Sequence, residues 1–159
     1  MRSMHARRRL MESIAKLRAL SELESNARLT CHALNEACLH QLAATWLALV
    51  RQIADAHGIA INTIESLDDL SIALAERALP SVEADYLICL QNSPDSWVST
   101  FFEHYLTVQC PVSTKTRDAH LIPLQDMSGL DSIVRDRYRP WINAMIDLVD
   151  SLQEKFDES

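Results

Sequence analysis

The sequence predicts an all-α protein, an up-and-down bundle of about five to six helices that forms a single domain over residues 1–159. Apolar residues recur at helical spacing through most of the chain. The chain also has only 2 glycines, whereas the tight hairpin turns of β-rich folds depend on glycine. Glycine-rich phosphate-binding loops are excluded as well, because they need more glycines than the chain has.

Two long helices are expected at the N-terminal end. The first runs from about His5 to Asn26, with an apolar stripe on one side. The second runs from about Leu29 to His57 and is apolar around most of its circumference, which is typical of a helix at the centre of a bundle. Gly58 is expected to end it. Whether the two helices are continuous across residues 25–27 is left open.

Shorter helices are expected in the middle of the chain. Residues 59–65 are predicted to form an ordered connector with apolar anchors. Ser66 is predicted to cap the third helix, which ends before Pro80. The fourth helix begins after Ser81 and stops near Asn92.

The fifth and last helices carry the remaining core residues. Ser93-Pro94-Asp95 has the pattern of a helix start, and the fifth helix ends near Gln109. Residues 111–127 are predicted to be a long loop. The last helix spans about 129–156, and Pro140 inside it predicts a kink or a restart. Residues 1–5 and 157–159 are expected to fray.

The charge is unevenly distributed. Residues 1–28 carry seven basic and three acidic side chains, a net charge of +4. Because the whole chain has a net charge of −7, the remaining residues carry −11. One interpretation is a basic helix that lies on the acidic body of its own fold. The other is a contact site for an acidic partner, formed by Arg7, Arg8, Arg9 and Lys16.

The second interpretation is our functional hypothesis: a non-enzymatic interaction or adaptor protein. Its partner is a protein or another acidic surface. Nucleic acid is possible but less favoured, because the molecule as a whole is negative. A homodimer is also possible.

An alternative hypothesis is a ribonuclease. Arg51 and His57 match the loose Arg-x4–6-His pattern of the HEPN ribonucleases, which are themselves helical bundles. Such an arginine holds a phosphate while the histidine performs acid–base catalysis. This hypothesis requires both side chains to be accessible in a groove.

No metal or cofactor is predicted. His32, Glu36 and His40 share a face of the second helix, but their spacing differs from known helical metal motifs. The four cysteines have no CxxC spacing and are expected to be reduced. The aromatic face from Trp97 to Tyr105 is predicted to be core, although a ligand there is left open.

Nothing in the sequence predicts a membrane span. The longest uncharged stretch covers residues 37–50, shorter than the roughly 20 residues of a spanning helix. The Arg-rich start resembles a mitochondrial presequence, but Glu12 and Glu22 and the unbroken helical pattern disfavour one. We expect a cytoplasmic protein.

Three segments carry a family resemblance: LNEACLHQLAATWLALVRQIADAH at 34–57, PDSWVSTFFEHY at 94–105, and the terminal helix led by Trp141. Together they resemble a family of small proteobacterial proteins described as a domain of unknown function. Residues 43–44 are Ala-Ala where that family has a tyrosine-containing step. The resemblance implies an all-α bacterial cytosolic protein and transfers no catalytic residues.

Overall fold

The computed structural model describes residues 4–23, 28–109 and 127–158, and over these residues it confirms the predicted all-α bundle. None of the described helices is long and apolar enough to cross a membrane. Six α-helices make up the described part of the chain: α1 (Met4–Glu22), α2 (Arg28–Ala56), α3 (Leu67–Glu76), α4 (Val82–Asn92), α5 (Trp97–Gln109) and α6 (Met127–Glu158).

Helix α2 is the centre of the bundle, as its nearly all-round apolar pattern predicts. It contacts α1, α3, α4, α5 and α6. Leu42, Leu49 and Ile53 are fully buried on it, and Trp46 packs edge-on against Phe102 of α5. Two of its polar residues, Thr45 and Gln52, are buried as well.

The connector after α2 is ordered, as predicted. Gly58 adopts φ +69°, a left-handed conformation that ends α2. A 3₁₀ turn at Ile61–Thr63 follows, flanked by the buried side chains of Ile59 and Ile64. The Ser66 hydroxyl then accepts a hydrogen bond from the Asp69 amide at 3.2 Å, which caps α3.

The predicted start of the fifth helix was wrong by one turn. Ser93 ends α4 instead, where its hydroxyl donates to the Cys89 carbonyl oxygen at 2.7 Å. Residues 93–96 form a turn, and α5 begins at Trp97. Its cap is Ser96, whose hydroxyl accepts from the Ser99 amide at 3.0 Å. The sequence pattern was ambiguous because both serines are good cap residues.

Other boundaries differ more modestly from the predictions. Helix α1 ends at Glu22, before the predicted Asn26. Helix α6 passes through Pro140 without restarting and continues to Glu158. Residues 24–27, which bear on the continuity of α1 and α2, and most of the predicted loop at 111–127 lie outside the described residues.

Candidate functional site: a basic cleft between α1 and α2

Helix α1 has one basic flank on each side of its buried face. Arg7 and Arg18 are separated by about three turns, so they lie within about 20° of each other. Arg7 makes two hydrogen bonds to the Asp157 carboxylate, at 2.9 and 3.0 Å, and Arg18 lies 3.7 Å from Asp150. This flank therefore rests on acidic residues of α6, as the first interpretation of the charge pattern predicts.

The second basic flank carries Arg9 and Lys16. These residues are about two turns apart and again share one face, roughly opposite Arg7 and Arg18. Neither forms an ion pair with a described residue. Arg8 points elsewhere and pairs with Glu12 at 2.8 Å. The structure thus divides the four predicted contact residues: among the described residues, Arg7 and Arg8 have acidic partners, and Arg9 and Lys16 have none.

Arg9 and Lys16 line a cleft between α1 and α2, which we call the α1–α2 cleft. Its volume is about 890 Å³, within the range of small-ligand sites. It is lined by His5, Ala6, Arg9, Glu12, Ser13 and Lys16 of α1, by Gln41, Ala44, Ala48 and Arg51 of α2, and by Ile61 and Asn62 of the 3₁₀ turn.

A buried polar contact sets how α1 and α2 lie against each other. The hydroxyls of Ser13 and Thr45 lie 2.8 Å apart, and the Gln41 amide donates to the Ser13 hydroxyl at 2.6 Å. With α1 and α2 antiparallel, this register places His5 level with Arg51, because each lies about two turns from the contact. The cleft therefore runs along the helices, with Lys16 towards one end and Arg51 at the other.

Small side chains give the cleft its depth. Ala44 and Ala48 follow one another at helical spacing on the side of α2 that faces Arg9 and Lys16. Sequence reasoning missed this cleft. The available signal was a pair of polar residues, Gln41 and Thr45, beside Ala44 and Ala48 on an otherwise apolar helix.

Arg51 has a structural role that the sequence did not reveal. It is half-buried, and its Nε donates a hydrogen bond to the Ile64 carbonyl oxygen at 2.8 Å. It forms no ion pair with any described residue. Its terminal nitrogens are therefore left to solvent or to a bound anion.

His57 does not share the α1–α2 cleft with Arg51. It is the first residue after α2, and its amide donates to the carbonyl oxygens of Ile53 and Ala54 at 3.2 and 3.1 Å. Because His57 follows Arg51 by six residues, the two side chains leave the helix axis in directions about 120° apart. His57 is half-buried and absent from the cleft lining. Neither residue lies in the core, so the ribonuclease hypothesis stays a prediction.

The candidate metal ligands Glu36 and His40 are exposed on α2, and His32 is partly buried. No group of three potential metal ligands occurs in the described part of the chain. His40 lies 3.3 Å from the Gln109 amide and packs edge-on against Tyr105. Phe101 is fully buried and contacts Trp141. Of the aromatic face of α5, Phe101 therefore lies in the core as predicted, and Trp97, Phe102 and Tyr105 are partly buried and pack against it.

Comparisons with models of known protein families, with curated proteins and with solved structures each found no match. The resemblance to small proteobacterial helical proteins therefore stays a prediction.

Proposed function

We propose that the protein is a non-enzymatic interaction protein of the bacterial cytoplasm that binds an acidic segment of a partner protein in the α1–α2 cleft. One observation carries the proposal. Arg9, Lys16 and Arg51 line the same cleft, and none of them has a carboxylate partner among the described residues. The single acidic side chain of the lining, Glu12, is already paired with Arg8.

The charge of this cleft is opposite to that of the molecule. The chain carries a net charge of −7, yet the cleft presents three permanent cations against one carboxylate that is already paired. A local field of this kind attracts anions and raises their association rate, and salt weakens it. Hence an acidic segment is favoured at the cleft, while the acidic body repels acidic surfaces elsewhere.

The lining favours a peptide over single-stranded RNA. Proteins that bind single strands stack the bases on aromatic rings, and no Phe, Tyr or Trp lines the α1–α2 cleft. The exposed Asn62 amide instead offers a donor and an acceptor that can hydrogen-bond a peptide backbone. From His5 to Lys16 the cleft spans about 16 Å, the length of about five extended residues.

The test is a binding measurement with defined probes. Fluorescence anisotropy would compare labelled hexaglutamate, hexaglutamine and a six-nucleotide oligouridylate. We expect hexaglutamate to bind most tightly, with an affinity that falls as salt rises. The double variant Arg9→Gln/Lys16→Gln should lose about tenfold or more in affinity, because two exposed charge contacts are removed.

The matched control is Arg7→Gln/Arg18→Gln. It changes the net charge by the same amount but acts on the flank that faces α6, so it should retain hexaglutamate binding. Equal losses in the two double variants would mean non-specific attraction and would overturn the proposal. Tighter binding of oligouridylate would assign the cleft to RNA, and cleavage of it that His57→Ala abolishes would establish the ribonuclease.

A further inference from the structure

The Arg51 end of the α1–α2 cleft differs from the rest of it. There, three elements contribute one polar side chain each: His5 at the start of α1, Arg51 near the end of α2, and Asn62 in the 3₁₀ turn. The antiparallel register brings His5 level with Arg51. This end therefore gathers hydrogen-bonding groups from separate elements, whereas Arg9 and Lys16 lie along one helix.

The guanidinium of Arg51 is held in place. Its Nε is already engaged by the Ile64 carbonyl oxygen at 2.8 Å, and Ile64 is itself buried. Among the described residues, no acceptor lies within hydrogen-bonding distance of its two terminal nitrogens, and no carboxylate pairs with its charge. A guanidinium fixed in this way keeps terminal N–H groups in a planar fork, which matches an oxyanion.

We propose that the Arg51 end is a subsite for a phosphate monoester, so that the acidic segment is recognised in its phosphorylated form. This inference rests on the proposed function. A phosphoryl group carries a charge of about −1.5 to −2 and three acceptor oxygens. It can accept from Arg51 and from the Asn62 amide, whereas a carboxylate offers only two oxygens and one charge.

The choice of a phosphate over a carboxylate follows from the excess of cations. Arg9 and Lys16 along the cleft suffice for the acidic side chains of a short segment. Arg51 adds a third permanent charge that is half-buried and without a carboxylate partner among the described residues. At the same distance a dianion attracts that charge more strongly than a monoanion does.

The experiment compares three labelled hexapeptides that differ only at the third residue, which is phosphoserine, glutamate or serine between glutamates. We expect the phosphoserine peptide to bind about tenfold or more tightly than the glutamate peptide, because charge-assisted hydrogen bonds to a fixed guanidinium are strong. O-phosphoserine and inorganic phosphate, titrated against the full chain by NMR, should shift the amide signals of residues 61 and 62.

Two variants test the geometry of the subsite. Arg51→Lys keeps the charge but loses the fork and the bond to Ile64, so the ratio of phosphoserine to glutamate affinity should fall to about one or two. Asn62→Asp has nearly the same shape and places a negative charge beside the phosphate, so it should lower the same ratio. Because Asn62 is exposed, this variant keeps the test valid if Arg51→Lys fails to fold.

The outcomes separate this inference from the proposed function. Equal binding of the phosphoserine and glutamate peptides overturns the phosphate subsite and leaves the acidic-segment function standing. Binding of inorganic phosphate or O-phosphoserine with no binding of any peptide supports the subsite, assigns it to a small phosphorylated ligand, and overturns the proposed function. No binding of any probe overturns both.

Discussion

The side chain of Arg51 ties the end of α2 to the connector that follows it, because its Nε donates to the carbonyl oxygen of Ile64 at 2.8 Å. Thirteen residues separate the two groups. This bond adds to the buried side chains of Ile59 and Ile64, which anchor the segment containing the 3₁₀ turn. Arg51 therefore connects that segment to the α1–α2 cleft, which both of them line.

Replacing Arg51 with methionine is expected to destabilise the protein by about 1–2 kcal/mol, since a hydrogen bond from a charged donor is lost. Urea denaturation measures the change. The matched control is Arg77→Met, which removes a longer bond of 3.2 Å from an exposed arginine to the Gly58 carbonyl oxygen. Its cost should stay below about 0.5 kcal/mol. Equal effects in both variants would contradict a special role for Arg51.

Substitutions at two residues with left-handed backbone conformations are expected to change the stability of the protein in opposite directions. Ala78, just after α3, has φ +52°, and Gly58 has φ +69°. A residue with a Cβ atom loses about 1–2 kcal/mol of stability when its backbone adopts the left-handed conformation. Ala78→Gly should therefore stabilise the protein, by about 0.5–1 kcal/mol after the entropy of glycine is counted, and Gly58→Ala should destabilise it by about 1 kcal/mol. Thermal unfolding distinguishes them by the sign of the shift in Tm.

A buried amide pair joins α2 to α6. The Gln153 amide donates to the side-chain oxygen of Gln52 at 2.7 Å, while the Gln153 oxygen accepts no hydrogen bond from any described residue. Gln52→Met or Gln153→Met alone should cost about 1–3 kcal/mol, because each leaves the other amide unpaired. The double variant should be close to the wild type in stability. Additive losses in this double-mutant cycle would be inconsistent with the pairing.

The aromatic core of α5 is expected to dominate the stability of that helix. Phe101 is fully buried and contacts Phe102, Tyr105 and Trp141. Phe101→Ala should cost about 3–5 kcal/mol through lost burial and the cavity left behind. Leu106→Ala is the control on the same helix: Leu106 is 59% exposed, so its loss should cost less than about 1 kcal/mol in chemical denaturation.

Burial raises the pKa of the Cys38 thiol above its usual value of 9.0. The folded protein then holds this proton more tightly than the unfolded chain does. The resulting stabilisation is complete below about pH 9 and is lost as pH rises through the folded-state pKa. The free energy of unfolding should therefore decline in that alkaline range, and less steeply in Cys38→Ala.

Alkylation provides a second readout for the same thiol. Cys89 is exposed, whereas Cys38 is buried. Iodoacetamide at pH 8, followed by peptide mass spectrometry, should modify Cys89 well before Cys38, since the reactive thiolate is disfavoured in the core. Faster labelling of Cys38 would contradict its burial.

Local signals predicted the elements well where one residue type has one preferred role. Gly58 ends α2, and Ser66 caps α3, because a left-handed position and an unpaired first-turn amide each favour few residues. The same reasoning placed the start of α5 one turn early. Ser93 and Ser96 are equally good caps locally, and only the packing of α4 and α5 distinguishes them.

The all-α class, the central position of α2 and the apolar faces follow from the sequence alone, because they depend on composition and on periodicity within one helix. The tertiary structure decided which basic side chains remain without an acidic partner among the described residues. Arg7 and Arg18 pair with α6, and Arg9, Lys16 and Arg51 converge on the α1–α2 cleft. That distinction depends on which helix lies against each flank of α1. Such contacts join residues far apart in the chain, so the periodicity of a single helix does not predict them.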